Sequence, residues 1–260
     1  MQMKKLIAAL LAAMVALCGM ALADYRPATA SPTPAPFGRV HGVVSDATDP
    51  SVKLAGVQVS SQGQSATTDA QGNYTLQLMP GSHTLTFEKD GYIRTTADVR
   101  ITQGGDAQRD CSMSRELSSN EFRVVLTWGS APSDLDSHLR GASARGREYH
   151  VSYKDIKPAD ANNEAQLDVD DTTSYGPETT TFTVTNNSTY VYYVHDFTNR
   201  QNSRATGLQN SSAKVEVYSG NEQIAVYTVP SGTGRYWEVF RIENTSVRTI
   251  NRIVDSEPSR

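Results

Sequence analysis

Only two cysteines occur in the 260 residues, and one of them, Cys18, lies in an apolar N-terminal run. Removal of that run leaves Cys111 alone, so no internal disulfide can staple the fold, and stability must come from buried cores or a bound metal. Cys111 alternates with Met113 at strand-like spacing, which suits a buried, inert thiol better than a nucleophile. Basic charge is scarce as well: 24 Lys and Arg stand against 28 Asp and Glu, a formal net charge of −4. An acidic chain does not suit nucleic acid or anionic lipid as a partner. No Gly-x-Ser-x-Gly elbow, His-x-x-x-His spacing or close cysteine pair occurs, so the familiar nucleophile and zinc motifs are missing. Helical periodicity of useful length is missing too.

What is present falls into ordered segments. Met1 to Ala23 carries Lys4 and Lys5, then LIAALLAAMVAL, then Ala21-Leu22-Ala23 before Asp24. That order is the charged, apolar and cleavage pattern of a secretory signal peptide over 1–23. It predicts an exported chain, periplasmic or extracellular, with no membrane insertion of its mature part. The competing lipoprotein reading at Cys18 meets Leu17 where a small residue is wanted. Residues 24–36 hold PATASPTPAP, a Pro/Ala-rich spacer that cannot pack a core and favours extended polyproline II.

From 37 to 117 the chain alternates apolar and polar residues between turn signals at Asp69-Ala-Gln-Gly72, Pro80-Gly81 and Lys89-Asp-Gly91. Tyr74, Leu76 and Leu78 should share one strand face, and His83, Leu85 and Phe87 another. The segments VHGVVSD, LAGVQV, ATTDAQGNYTLQL and PGSHTLTFEKDGY resemble the carboxypeptidase regulatory-like, transthyretin-like β-sandwich. That resemblance implies a structural or adhesive module rather than a catalyst.

Residues 120–254 repeat the alternation in FRVVLTW, TTTFTVT, TYVYYVHDF, AKVEVYSG and YWEVFRI, which predicts a second β-sandwich and leaves 255–260 as a tail. The fold class is therefore all-β, with two consecutive sandwiches expected to fold independently across a short polar join at 114–120. Trp128 and Trp237 are core candidates on area grounds, with sugar stacking as the alternative.

Two acidic clusters interrupt this pattern. PSDLDSHL holds Asp134, Asp136 and His138 at alternate positions, and LDVDD holds Asp168 and Asp170 similarly, followed by Tyr175-Gly-Pro-Glu178. Asp is depleted in strands, so the clusters need a cause. Strand alternation predicts that each set shares a face. Five carboxylates brought together would repel one another, and a divalent cation converts that repulsion into ligation. Hard oxygen donors select Ca²⁺ ahead of Mg²⁺ or Mn²⁺. The expected metal ligands are Asp134, Asp136, Asp168, Asp170 and Glu178, with His138 orienting a carboxylate. A zinc site would recruit His138 with His150 or His195, but no spacing supports it. A metal-free alternative leaves these acids as solvated loop and strand-end charges, or has them cap turns and pair with Arg140, Arg145 or Arg147.

In order, the Asp-x-Asp-x-His strand, the Leu-Asp-x-Asp strand and the Tyr-Gly-Pro-Glu turn resemble YfaP-like secreted bacterial domains of largely unknown function. The matching positions are Asp134, Asp136, His138, Asp168, Asp170, Tyr175, Gly176, Pro177 and Glu178. Ser174 stands where relatives have glycine. Three functions compete: a non-catalytic, Ca-stabilised envelope or extracellular module binding a surface glycan or protein; a metal-dependent hydrolase with Glu178 or His195 as base; and a structural subunit of an envelope complex.

Overall fold

The computed structural model describes residues 37–260, Asn187 excepted. The segments expected to be a signal peptide and a spacer, with Cys18, lie outside the described residues. The rest is nearly all strand; its helices are a single 3₁₀ turn at Ala159–Ala161 and a four-residue helix at Gly207–Asn210. No helix among the described residues is long and apolar enough to cross a membrane.

The first sandwich packs two sheets. One has β2 (Asp49–Lys53), β1 (Gly38–Asp46) and β5 (Asn73–Leu78) in order, with β8 (Asp106–Gln108) and β9 (Cys111–Met113) pairing β1 in parallel. The other runs β4 (Gln64–Thr67), β3 (Gln58–Ser61), β6 (Gly81–Glu88) and β7 (Thr95–Ile101). Alternation decides what is buried. Tyr74, Leu76 and Leu78 of β5 face Leu85 and Phe87 of β6 within one core, and the Tyr74 and Phe87 rings meet edge to face at 5.6 Å. Cys111 is buried there as a free thiol, and burial first of all raises its pKa, as expected of an inert residue.

The second sandwich also has two sheets. One orders β13 (Ala165–Val169), β14 (Glu178–Thr183), β10 (Glu121–Thr127), β16 (Lys214–Ser219) and β17 (Glu222–Thr228). The other orders β12 (Glu148–Val151), β11 (Leu135–Ala142), β15 (Thr189–Asp196), β18 (Tyr236–Glu243) and β19 (Ser246–Val254). Phe122, Val124, Leu126 and Trp128 point into the core against Leu135, Leu139, Tyr192 and Trp237. Both tryptophans are core residues. Each satisfies its indole N–H, Trp128 donating to the Pro132 carbonyl and Trp237 to Asn251 Oδ1, as buried tryptophans usually do. Tyr190 and Tyr192 are fully buried as well.

Strand β10 is buried on both faces, which simple alternation does not predict. Its outward Val125 joins Tyr218, Ala47 and Ile93 in a small third cluster, with Leu117 of the join packed on it. Thr179 Oγ1 donates to the Ala47 carbonyl, and Arg123 reaches Ser114 Oγ. The first sandwich thus covers the back of the second. The residues after Val254 are not loose: Glu257 accepts from Arg140 and Tyr193, and Arg260 donates to the Gly141 carbonyl.

Candidate metal centre

The site grows from the start of β11. Leu135 and Leu139 enter the core, which turns Asp136 and His138 to the opposite face. Across the antiparallel ladder Asp136 lies opposite His195 and His138 opposite Tyr193, so these side chains also share that face. Asp134 precedes the strand, and the Asp134 backbone N–H donates to Thr198 Oγ1. Meanwhile β14 opens with Glu178 at the same end of the sandwich. Its Oε2 accepts from the Ser137 N–H at 2.5 Å, while Oε1 has no hydrogen-bond partner although the residue is fully buried.

Asp136, Asp170 and Glu178 each bring a carboxylate oxygen within 4.8 Å of the others. Asp134 stands close enough that the charges of Asp136 and Asp170 help to raise its pKa. Four of the five expected ligands therefore gather. Asp168 does not join them. A bulge between Leu167 and Val169 breaks the ladder at that residue, so Asp168 and Asp170 no longer follow simple alternation. Asp168 instead accepts from Thr181 and Gln166 and feels the charge of Arg123.

The arginine alternative fails on geometry. Arg140 pairs with Glu257 and Arg147 with Asp160; the only side-chain ion pair at Asp134, Asp136, Asp170 or Glu178 among the described residues is His195 Nδ1 to Asp136 Oδ2, 3.3 Å. The contrast with Glu238 is informative. That residue is equally buried, yet Arg241 and Arg252 both fork its carboxylate, and although burial raises its pKa these contacts bring it below the usual value. Glu178 has no such partner. Burial first, then the nearby Asp136 charge, drives its pKa well above the carboxylate range, against the Ser137 backbone hydrogen bond. Asp134 is pushed up to about 6, by burial first and then by Asp136 and Asp170, and burial raises Asp136 too. A cluster of acids held this way without a cation is under electrostatic load.

The loop between Asp170 and Glu178 is tightly held. Ser174, Tyr175 and Gly176 all have positive φ, at 81°, 69° and 76°, a costly run for two non-glycine residues. Backbone bonds pin it to the segment before β11: Trp128 N–H to the Tyr175 carbonyl, Tyr175 N–H to Gly129, and Ser174 N–H to Ser133. A Cβ on Gly176 would lie 2.9 Å from the Trp128 ring, so that glycine is required by contact as well as by φ. Tyr175 is 62% exposed. With Trp128, Thr95, Thr96, Gln108 and Glu216 it lines a cleft of about 730 Å³ between the sandwiches.

Beside the carboxylates lies a histidine group that sequence spacing concealed. His138 Nδ1 contacts His150 Nε2 at 2.8 Å, and its Nε2 is buried without a partner. His195 approaches from β15. Their sequence separations of 12 and 57 residues carry no motif; strand pairing alone creates the neighbourhood.

Residues 39–114 match the carboxypeptidase regulatory-like domain model. The match ends at the join and does not reach the second sandwich. No curated protein matches the chain. Among solved structures, similarity extends to a cohesin–X-dockerin complex from Acetivibrio cellulolyticus (22% identity, 32% of this chain and 60% of that one, TM-score 0.25). It extends also to a DUF3823 family protein from Parabacteroides merdae (9% identity, 62% and 90%, TM-score 0.26) and a streptococcal ancillary pilin (13% identity, 77% and 60%, TM-score 0.26). Likenesses at these scores carry no functional weight. The chain is thus all-β, and residues 39–114 of its first sandwich match the carboxypeptidase regulatory-like domain model.

Proposed function

We propose that the chain is an exported, non-catalytic binding module whose second sandwich is clamped by Ca²⁺ at Asp136, Asp170 and Glu178, with Asp134 adding charge. The observation that carries this reading is the fully buried Glu178, whose Oε1 has no partner and whose carboxylate meets two others. Backbone carbonyls and water would complete an oxygen shell. Asp170 and Glu178 are the two ends of the Tyr175 loop, so one ion would tie both ends to β11. The clamp would hold in place the tyrosine that lines the inter-sandwich cleft. An exposed ring among hydroxyl and amide groups suits a surface glycan, or a polar segment of an envelope protein.

The regulatory-like class of the first sandwich supports a binding role, and the N-terminal leader pattern supports export. The clamp is tested by melting the mature protein in EDTA and in Ca²⁺, with elemental analysis of the purified material. At free Ca²⁺ about a hundredfold above Kd the gain is about 2.7 kcal/mol, a shift of several degrees. Asp170→Asn, at an exposed position, should remove most of that shift without unfolding the protein. A wild type that neither retains Ca²⁺ nor responds to it overturns the proposal.

A further inference from the structure

We propose that Asp136, His138 and His195 form a second metal site, for a borderline divalent cation of the zinc class rather than for calcium. The three residues each offer a ligand atom within 4.8 Å of the other two. Asp136 and His195 face each other across the β11–β15 ladder and His138 lies two residues further along β11, so all three stand on rigid strands rather than loops. Two imidazoles and one carboxylate make a donor set that nitrogen-preferring metals favour and that calcium, which takes oxygen, does not. It is therefore chemically distinct from the carboxylate trio, although Asp136 belongs to both and has two oxygens with which to serve them.

An independent observation points to an ion. His138 is 6% exposed, and its Nε2 is buried with no hydrogen-bond partner. The other ring nitrogen, Nδ1, sits 2.8 Å from His150 Nε2. When Nδ1–H donates to His150, Nε2 presents a bare lone pair, and Nδ1 is already engaged, which leaves Nε2 as the free ligand atom. A ligating histidine is commonly held in this way by a second group that fixes its tautomer. Both rings are also fixed in orientation, His138 stacked on Tyr193 at 4.8 Å and His195 on Tyr236 at 4.7 Å. The neighbouring cation Arg140 is paired with Glu257. His138 and His195 line a second cleft, of about 600 Å³, so coordination positions left open by the protein would face a space that a small ligand can enter.

The probe is Co²⁺ added to untagged, chelator-stripped protein in excess Ca²⁺, read by visible d–d absorption and by competition with Zn²⁺. One equivalent of Co²⁺ should give a visible band that Zn²⁺ abolishes. His195→Gln and His138→Gln should each weaken Co²⁺ binding by at least about a hundredfold, and His150→Gln, which alters only the supporting contact, by about tenfold or more. Asp170→Asn should leave the band intact while removing the calcium response, and His195→Gln should do the reverse, so the two sites fail separately. Circular dichroism checks each variant; if the buried His138→Gln does not fold, His195→Gln decides. Absence of a band in wild type, or a band unchanged in folded His195→Gln, overturns the proposal.

Discussion

His195 Nδ1 lies 3.3 Å from Asp136 Oδ2, across a ladder in which these two residues sit directly opposite each other although 59 positions separate them in sequence. The pair marks the boundary between two kinds of donor: carboxylates gather on the Glu178 side and imidazoles on the His138 side. A single strand face therefore presents oxygen chemistry and nitrogen chemistry side by side, with Asp136 between them.

Glu178→Gln should separate what the buried carboxylate does to the fold from what it does for the ion. The amide keeps an oxygen to accept from Ser137 N–H and removes an acid that, without a cation, must either bury its charge or take up a proton on folding. The metal-free variant should melt above metal-free wild type at neutral pH, because an acid with a raised folded pKa costs stability there whichever form it takes, and it should lose the calcium response. Asp168→Asn is the control: its oxygens are engaged by Thr181 and Gln166 away from the trio, so its calcium-induced shift should equal that of wild type. Thermal melts of both variants with EDTA and with Ca²⁺ check this; a full calcium shift in Glu178→Gln would remove Glu178 from the site.

Much of this was legible in the sequence, and the missing parts have specific causes. Alternation placed Tyr74, Leu76, Leu78, Phe122, Val124, Leu126 and both tryptophans in cores, because burial on one sheet face is a local, period-two property. The motif carboxylates Asp136, Asp170 and Glu178 were visible because acids are unusual in strands. Asp168 misled because a bulge shifts the register of β13, and nothing in LDVDD signals a bulge. The burial of Val125 and Tyr218 was hidden because it depends on the other sandwich. The histidine group had only the weak standing of a zinc alternative for a different reason: His138, His150 and His195 meet through strand pairing within one sheet, which spacing along the chain does not encode.

The calcium response should depend on pH in a direction set by the acids. Asp134, pushed up to about 6, and Glu178, driven well above its usual value, bind protons more readily folded than unfolded. Their stabilising contribution to the metal-free protein is complete below about pH 4 and fades as pH rises through the folded values. Burial lowers the pKa of His138, and that of His150 to about 4, so these act oppositely and acidification below about 6.5 costs stability through them. Because the two effects offset in the metal-free protein, the calcium-induced difference is the informative quantity. Protons compete with the ion for the carboxylates, so the shift should be largest near pH 7.5 and shrink steadily toward pH 5. A shift constant over that range would mean that the raised acids do not hold the ion.

The interface between the sandwiches gives the last prediction. Val125 and Tyr218 of the second sandwich are almost wholly buried against Ala47 and Ile93 of the first, with Leu117 packed beside them. The second sandwich nevertheless has its own large core, from Phe122 to Ile242, and this one does not draw on the first. We therefore expect a fragment of residues 121–260 to fold alone, with native-like strand content by circular dichroism, but to melt below the same sandwich in the whole chain. Exposing a side chain as large as Tyr218 forgoes about 1.5–3 kcal/mol, with a smaller loss at Val125, and for a domain of this size each kcal/mol moves the midpoint by about 2–4 °C or somewhat more. The deficit should be several degrees, and calcium should raise the melting of the fragment as it does that of the whole chain, since every residue of the carboxylate trio lies within it. An unfolded fragment would show that the cover supplied by Ala47 and Ile93 is indispensable, and an unchanged midpoint would show that the third cluster contributes nothing to stability.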